Sequence, residues 1–452
     1  MLRAALAASF LSVAAQQPGA SVQPPPGVEQ RPAPPPANAL TIEQAIQIAL
    51  DRNYDLRRSE YQAATAEQNL VLARSIILPQ LGFNGSVTKI RQGAGTQVIS
   101  GLPFVRATDI FTQYVGNVVL RQLVFDGGNW WNNLKSASLA LESSQATIEE
   151  QRLTTIYTVE QRFYELIRQQ RQLKVLGDAA QRSRDQADFT QRLFDGGRAT
   201  QADVYAARAN RDNDEINRLG QEALVELARQ DLALTVGLNP ADPLAIVEPD
   251  AMQKDPAAPP PTREVVDKAL AQRPSLKAFA LTVESQQKAV SAAKGGYWPQ
   301  ISLAATYGRS TSDRSQFIDT DLGQNSQLSG GVNLTWNIFS GLSTKATVQT
   351  AEINVLLAVN DLANGRRTVA SDVERAVAQL AVARQQARIA VQTLQNSSEN
   401  LRLARTRQQV GVGTQLEVRD AELKLTQSEL ARANALVNGH EAESALRRAT
   451  GG

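Results

Sequence analysis

The sequence has very little of the material from which most catalytic and metal sites are built. Among 452 residues there is no cysteine and only one histidine, and aromatic residues make up 5%. The absence of cysteine excludes a disulfide scaffold, a thiolate metal site, a cysteine nucleophile and a cysteine-linked lipid anchor. One histidine excludes a metal cage of several histidines, and no nucleophile–base pair or phosphate-binding loop stands out. We therefore expect neither an enzyme nor a cofactor.

Charge and hydropathy exclude two further classes. The 47 basic residues are balanced by 45 acidic ones, with no basic block, so nucleic acid is not an expected partner. The mean hydropathy is -0.29, and no apolar run reaches the roughly 18 residues that a membrane-spanning helix needs. A bundle of transmembrane helices is therefore excluded.

The chain begins with a short apolar stretch and contains two proline-rich segments. Residues 1–15 carry Arg3, an apolar run and a small-residue cleavage site, which predicts a secretory signal peptide; a frayed amphipathic terminus is the alternative. Prolines are concentrated in 16–39 and 240–261, where we expect extended linkers. They separate two stretches of similar length, 40–239 and 262–452.

These two stretches are copies of each other. At an offset of 220 residues, Pro79-Gln80 falls on Pro299-Gln300, and a series of matches at an offset of 214 follows further along. The offset changes only once, between residues 87 and 117, where a surface loop tolerates a length difference. The matches at 214 include Val118 with Val332, Val159 with Val373, Gly197 with Gly411, and Thr200 with Thr414.

Each repeat contains two segments in which apolar and small polar residues alternate. This period of two predicts strands at about 80–91 and 110–126 in the first repeat and at about 300–310 and 326–340 in the second. The loops between them, about 92–109 and 310–325, suggest no ligand. Strands of about 10 residues have the length of tilted membrane-spanning strands, although an edge hairpin packed on a soluble core is the alternative.

A very long helix follows the strands in each repeat, over about 129–194 and 343–410. At about 1.5 Å per residue, each would extend on the order of 100 Å. An apolar residue recurs every seven positions, which predicts coiled-coil packing, while the other faces are polar. A helix with a narrow apolar stripe and solvated faces on both sides is suited to the wall of a water-filled tube. An antiparallel coiled-coil rod is the alternative. The seam residues are Val159, Leu166, Leu173, Ala180 and Ala187, repeated as Val373, Leu380, Ala387, Leu394 and Leu401.

The whole pattern resembles the TolC family of outer-membrane efflux and secretion channels. The resemblance covers about residues 40–450 and is most specific at the paired junctions 78–81 and 298–301 and at the strand closures 124–128 and 338–341. It implies a mainly α protein with a transmembrane β-barrel, in which a homotrimer closes 12 strands, four from each chain. The barrel would lie in the lipid of the outer membrane, and an α-helical tunnel would continue into the periplasm. The family's partners are a periplasmic adaptor (membrane fusion) protein and an inner-membrane transporter.

Three sets of residues take roles in this interpretation. Proline and glycine would turn the chain sharply between strand and helix, tryptophans near the same junctions would form an aromatic girdle at the membrane boundary, and turns at the far helix ends would be the tunnel tips where the adaptor docks. The junction residues are Pro79, Gly127, Gly128, Pro299 and Gly341; the girdle residues are Trp130, Trp131, Trp298 and Trp336; the tip residues are Gly196, Gly197, Thr200, Gly411, Gly413 and Thr414.

Three acidic residues just past the tips are the candidate gate. In a trimer Asp203, Glu417 and Asp420 would each form a ring of three carboxylates, and such rings in a pore favour cations. The resemblance implies that they line or latch a closed periplasmic entrance. The family's best-known latch uses a tyrosine and an arginine, whereas the matching positions here hold Gln408 and Gly413.

The predicted function is therefore that of a passive exit duct in a tripartite efflux or type I secretion system. The adaptor and the inner-membrane transporter would open it at its periplasmic tip. A barrel-anchored, trimeric coiled-coil protein with a structural or adhesive role is the alternative. The exported substrate is not encoded in any motif of the sequence.

Overall fold

The computed structural model describes residues 39–99, 102–319, 323 and 325–452. The predicted signal peptide (1–15) and nearly all of the first proline-rich segment (16–39) lie outside the described residues. The described chain divides into two compact units. A sheet unit contains residues 70–135 and 288–352, and a helical unit contains residues 39–69, 136–287 and 353–452.

The sheet unit is built around one four-stranded antiparallel sheet in which the two repeats pair with each other. The strands of the unit are β1 (Gln80–Gln92), β2 (Gly95–Ile99), β3 (Leu102–Arg106), β4 (Asp109–Phe125), β5 (Gln300–Thr311) and β6 (Ser326–Thr335). The large sheet has the order β1-β4-β5-β6, which confirms the four predicted strands as one sheet.

The two faces of this sheet differ in polarity. Phe83, Val118, Tyr307 and Leu328 lie side by side across the four strands, and because side chains alternate along a strand, they share one apolar face. The positions between them, such as Asn333 on β6, belong to the opposite face. On β1 and β6 that opposite face carries small and polar residues.

Two strand predictions differ from the structure. The segment 92–109, expected as a loop, contains the separate hairpin of β2 and β3. The last strand, expected to reach about residue 340, ends at Thr335, because its partner β5 begins opposite it at Gln300. The residue before Gln300 is Pro299, which has no N–H to extend the ladder.

The helices include a pair of long elements, one in each repeat. Each repeat begins with two helices that are separated at an equivalent position, Asn53 or Arg273, where the backbone angles are extended. The helices are α1 (Ile42–Arg52), α2 (Tyr54–Ser75), α3 (Asn129–Asp195), α4 (Gln201–Val236), α5 (Thr262–Gln272), α6 (Pro274–Lys294), α7 (Arg314–Ile318), α8 (Ser343–Gln409) and α9 (Gln415–Thr450). No helix among the described residues is long and apolar enough to cross a membrane.

The predicted seven-residue seam forms the core of the helical unit. Eight of its ten residues are buried; Leu173 and Leu394 are half-buried. Alanine makes up much of the rest of the core, and the larger side chains of Phe163 and Ile167 pack in one cluster.

The second proline-rich segment, 240–261, packs against the helices instead of forming only an extended linker. Its Ile246 makes a parallel bridge with Leu40, and Met252 is fully buried in the cluster around Phe163. A 3-10 turn at Asp250–Gln253 positions that methionine. Proline content alone did not reveal these apolar anchors.

Candidate functional site

The first turn between long and return helices (196–200) joins α3 to α4. Gly197 has a φ of +66°, a conformation that glycine adopts at helix ends without steric cost. Thr200 then begins α4: its hydroxyl accepts from the Asp203 N–H at 3.2 Å, and the Asp203 carboxylate accepts from the Thr200 N–H at 2.9 Å. This reciprocal capping box satisfies two backbone donors that the helix leaves free.

The second turn (410–414) joins α8 to α9 in a similar way. Gly411 has a φ of +84°, and the Thr414 hydroxyl accepts from the Glu417 N–H at 3.2 Å. A Cβ on Gly413 would lie 2.8 Å from the Gln408 nitrogen and 2.9 Å from the Arg407 carbonyl carbon. The last turn of α8 therefore leaves no space for a side chain at Gly413.

The three candidate gate acids have different local partners. Asp203 belongs to the capping box, and its hydrogen bond with the Thr200 hydroxyl holds the pKa of its carboxyl below the ordinary value. Glu417 lies 3.7 Å from Arg407, and Asp420 lies 2.6 Å from Lys424. Both of these pairs are exposed, so each contributes little to stability, but each cation offsets part of the negative charge beside the second turn.

The structure brings the two turns together. The Gln415 side chain donates to the Asp203 backbone oxygen at 3.3 Å, from one repeat to the other. On α9, Val418 and Ala421 are buried against Leu401, whereas Glu417 and Asp420 are exposed. The first two turns of α9 thus present both carboxylates to solvent, while their other side packs inward.

A buried polar cluster that sequence reasoning missed lies behind the turns. Arg419 on α9 makes two hydrogen bonds with the carboxylate of Asp214 on α4, at 2.6 and 3.0 Å, and Asp214 also accepts from the Ser183 hydroxyl on α3. Nearby, Arg405 on α8 donates to Glu422 on α9 at 2.9 Å. The cluster therefore links both long helices to both return helices.

Burial changes the acid chemistry of this cluster. Only 3% of Glu422 is exposed, and burial raises the pKa of its carboxyl, although the Arg405 guanidinium acts in the opposite direction. Hydrogen bonding to Asp214 raises the pKa of the Arg419 guanidinium. Because a buried charge is costly without a partner, the arginines make this cluster interdependent.

Comparison of the two repeats shows the signal that could have revealed the cluster. At the offset of 214, the Ser183–Asp214 pair corresponds to Ser397–Ser428, whose hydroxyls lie 2.8 Å apart, and Arg419 corresponds to Tyr205. Both partners of the Arg419–Asp214 pair are therefore charged in one repeat only. A pair of sequence differences of this kind at interior helix positions predicts a compensating contact.

The strand–helix junctions lie at one end of the sheet unit. Gly127, Gly128 and Gly341 all have positive φ, at +70°, +81° and +61°. A Cβ on Gly127 would lie 2.5 Å from the Gly295 oxygen, so this glycine is required by a close backbone approach as well as by its φ. Pro79 and Pro299 immediately precede β1 and β5, where each predicted turn occurs.

The four tryptophans lie at the same end of the sheet. Trp130 and Trp131 begin α3, Trp298 precedes β5 by two residues, and Trp336 follows β6. The last three are exposed. The indole N–H of Trp336 donates to the backbone oxygen of Tyr297 at 3.2 Å. This hydrogen bond holds the Trp336 ring beside the residue that precedes Trp298.

No cluster of metal-ligating side chains forms among the described residues. The acids of the two turns are paired with cations or with their own helix cap. What it can do physically is hold two helix turns together and present carboxylates to solvent beside them.

Comparison with known proteins gives a consistent result. The sequence model described as "Outer membrane efflux protein" matches residues 45–238 and 265–452. The chain is 24% identical to the outer membrane protein TolC of Escherichia coli K12, over 91% of this chain and 83% of that protein. It is 25% identical to the fusaric acid resistance protein FusA of Burkholderia cepacia, over 67% of this chain but only 56% of FusA.

Solved structures share the fold. The outer membrane protein VceC of Vibrio cholerae aligns with a TM-score of 0.75 at 19% identity, covering 91% of this chain and 96% of VceC. A membrane protein from Pseudomonas aeruginosa aligns with a TM-score of 0.79 at 20% identity, covering 93% and 98%. At these identities the likeness establishes the architecture alone.

Proposed function

The chain belongs to the outer membrane efflux protein family, and from this premise we propose that it is the outer-membrane exit duct of a tripartite efflux or type I secretion system. Its location is the outer membrane. In this proposal it is a passive channel, and a periplasmic adaptor and an inner-membrane transporter open it at its periplasmic end. The transporter selects the substrate and supplies the energy.

The observation that carries the proposal is the large sheet with one apolar face and two unpaired edges. Phe83 and Leu328 on that face are 61% and 77% exposed, and β1 and β6 have no partner on their outer sides within the described chain. Exposed edges invite pairing with another chain, and in a bilayer every backbone polar group needs a partner. Three copies that join β6 to the next β1 would close 12 strands and satisfy both requirements.

The composition of the helical unit supports a water-filled tunnel. Many of the side chains outside its buried core are Gln, Arg, Asp and Ser. Some apolar side chains on α4 and α8, such as Ile216 and Leu356, are exposed in the single chain, and in the proposal they contact the helices of neighbouring copies. In the proposal, three copies of these helices enclose the tunnel in the periplasm.

The turn acids would form the gate of this tunnel. In a trimer Asp203, Glu417 and Asp420 would each become a ring of three carboxylates that attracts cations. Arg407 and Lys424 offset part of this charge in the single chain, so we expect moderate rather than strong cation preference. The turns themselves, with Gly196 and Gly197 in one repeat and Gly411, Gly413 and Thr414 in the other, would be the docking surface of the adaptor.

The tryptophans would anchor the periplasmic end of the barrel in lipid. Their rings lie at one end of the sheet and three of the four are exposed. The membrane boundary accommodates an apolar ring together with a solvated N–H. Trp130, Trp131, Trp298 and Trp336 would together form the inner girdle.

Solute permeation into proteoliposomes tests the proposal. We expect reconstituted trimers to admit small neutral sugars, measured as osmotic swelling. Val332→Arg places a charge on the apolar face, where a charge near the bilayer midplane costs about 2–4 kcal/mol, and should prevent insertion. Asn333→Arg, its neighbour on the opposite face, should insert and conduct. Equal behaviour of the two variants, or inserted trimers that admit no solute, would contradict the proposal.

A further inference from the structure

An arginine interrupts the apolar face of the sheet. Arg309 on β5 pairs with Ser326 on β6, while Gly116 on β4 pairs with Arg309 on one side and with Gly85 on β1 on the other. These four residues form one row across the sheet, on the same face as Phe83. The row therefore consists of two glycines, one serine and a single large, charged side chain.

This row lies inside the apolar band rather than above it. On β1 the band continues beyond Gly85 to Val87, which pairs with Tyr114, and only then do Lys89 and Arg91 follow on the same face. A charge on the lipid side of a barrel is costly unless it lies close to an interface or is covered. Arg309 is only 8% exposed, so something covers it.

The cover is the start of the connection between β5 and β6. We call this segment the clasp: it comprises the short helix α7 (Arg314–Ile318) and Asp319. The Arg309 guanidinium donates to the backbone oxygens of Phe317 at 3.4 Å and of Asp319 at 2.5 Å. Two backbone carbonyls of the clasp thus accept hydrogen bonds from the charged group.

The glycine row provides the seat for the clasp. The Phe317 ring lies 3.1 Å from where a Cβ on Gly116 would be, and its centroid is 5.9 Å from that of Tyr114. Any larger residue at position 116 would displace the ring. The next residue, Ile318, is 53% exposed and adds to the apolar surface of the clasp.

We infer that the clasp lies in the lipid–water interface of the outer leaflet, where Phe317, Ile318 and Tyr114 contact lipid as the outer aromatic girdle of the barrel. The inference rests on the barrel of the proposed function. From Phe125, beside the periplasmic tryptophans, to Tyr114 is 11 residues of β4. At about 3.4 Å per residue and a tilt of about 40°, this is roughly 28 Å, close to the height of the apolar band of outer-membrane barrels.

Lipid is the occupant that this position favours. The seat lies on β4 and β5, the two middle strands of the sheet, whereas a second copy would join at β1 or β6. The apolar face around the seat is continuous with Phe83 and Val118, which the proposed barrel also turns to lipid. A clasp in this position would cover Arg309 and would also supply the apolar surface that the charged residue interrupts.

The absence of cysteine allows a direct depth measurement on the full-length trimer. A spin label on Ile318→Cys is compared in phospholipid proteoliposomes with labels on Val332→Cys, on the apolar face, and on Asn333→Cys, on the opposite face. Accessibility to oxygen against a water-soluble nickel chelate gives the depth of each label. We expect Ile318 at about 5–10 Å below the headgroup boundary, Val332 deeper, and Asn333 in water.

A substitution that fills the glycine seat provides a second test of the clasp. Gly116→Val should displace Phe317 and move the Ile318 label into water, with the loss of its oxygen preference. Gly331→Val adds the same side chain to β6, where nothing lies within 4 Å, and should leave the label in place.

The outcomes separate the two proposals. An Ile318 label that is in water while Val332 is in lipid would overturn the clasp and leave the barrel intact. A Val332 label in water would overturn the barrel and the clasp with it. An Ile318 label that stays in the interface in Gly116→Val would contradict the glycine seat, and with it the inferred placement of Phe317.

Discussion

Arg419 and Asp214 join the return helices of the two repeats through a paired hydrogen bond, with Nη1–Oδ2 at 2.6 Å and Nη2–Oδ1 at 3.0 Å. The two side chains are 17% and 11% exposed. The corresponding positions of the other repeat hold Tyr205 and Ser428, so this contact breaks the internal symmetry. It is therefore one of the contacts that hold the second turn against the first repeat.

Arg419→Leu should weaken the contact between the second turn and the first repeat. Removal of one partner leaves the Asp214 carboxylate buried without its cation, for which we expect a loss of about 3 kcal/mol in unfolding free energy. Hydrogen exchange should rise along the first turns of α9. Arg402→Leu is the matched control, because its pair with Glu399 is exposed and contributes little.

The double variant Asp214→Ser with Arg419→Leu refines this prediction. Removing both charges leaves no unpaired ion and recreates the hydroxyl pair of the other repeat, so it should cost less than Arg419→Leu alone. A double variant as unstable as the sum of the two single variants would show that the contact is not a coupled pair.

Gly413→Ala should disturb the second turn. Its Cβ would lie 2.8 Å from the Gln408 nitrogen, so backbone must move. We expect a lower thermal midpoint and faster proteolysis near residue 412. Gly177→Ala, in the interior of α3 with nothing within 4 Å, should instead stabilise the protein by about 0.5–1 kcal/mol. Similar effects of the two substitutions would contradict the close contact.

Glu422 should make stability depend on pH. Because burial raises its pKa above the ordinary value of 4.5, its protonated form suits the folded state better. The stability that this preference provides is present below 4.5 and is lost as pH rises through the raised pKa. Arg182, Arg405 and Arg419 oppose this loss without abolishing the shift.

Glu422→Gln isolates that contribution, since the amide oxygen can still accept from Arg405. We expect the variant to gain stability relative to the parent as pH increases from 4.5 through the raised pKa of Glu422, measured by thermal unfolding. Glu399→Gln, an exposed carboxylate, should show no such gain. A constant difference between parent and Glu422→Gln at all pH values would rule out the burial effect.

The two helix caps should differ in strength. Thr200 takes part in a full capping box, whereas Thr414 accepts one bond only. Thr200→Ala should therefore weaken its helix start by about 1–2 kcal/mol, and Thr414→Ala by about 1 kcal/mol or less. Local hydrogen exchange at residues 201–204 and 415–418 measures each loss, and a larger effect at Thr414 would contradict the geometry.

Much of the fold could be predicted from the sequence because duplication doubles every signal. A single glycine or proline is weak evidence for a turn. The prediction is stronger where the same residue type recurs at equivalent positions of both repeats, as with Gly197 and Gly411 or with Pro79 and Pro299. The alternation on β6 and the seven-residue seam on α8 each reflect burial of one face, which sequence records directly. These local patterns led to four strands in one sheet and two very long helices.

Long-range contacts could not be predicted in the same way. The sequence around Met252 is proline-rich, and nothing local shows that the methionine enters a core formed by distant helices. Arg309 appears as one cation in a strand, and its cover depends on how a loop folds back. The Asp420–Lys424 pair, by contrast, has the four-residue spacing of a helical ion pair and was readable from the sequence.

Ion conduction in planar bilayers tests the central claim, a water-filled duct with an acidic entrance, most directly. Under a potassium chloride gradient, we expect trimers to conduct with a reversal potential on the cation-selective side. The double variant Glu417→Gln with Asp420→Asn should shift that potential toward zero. Folded, inserted trimers that do not conduct, or an unchanged reversal potential in the double variant, would contradict the account.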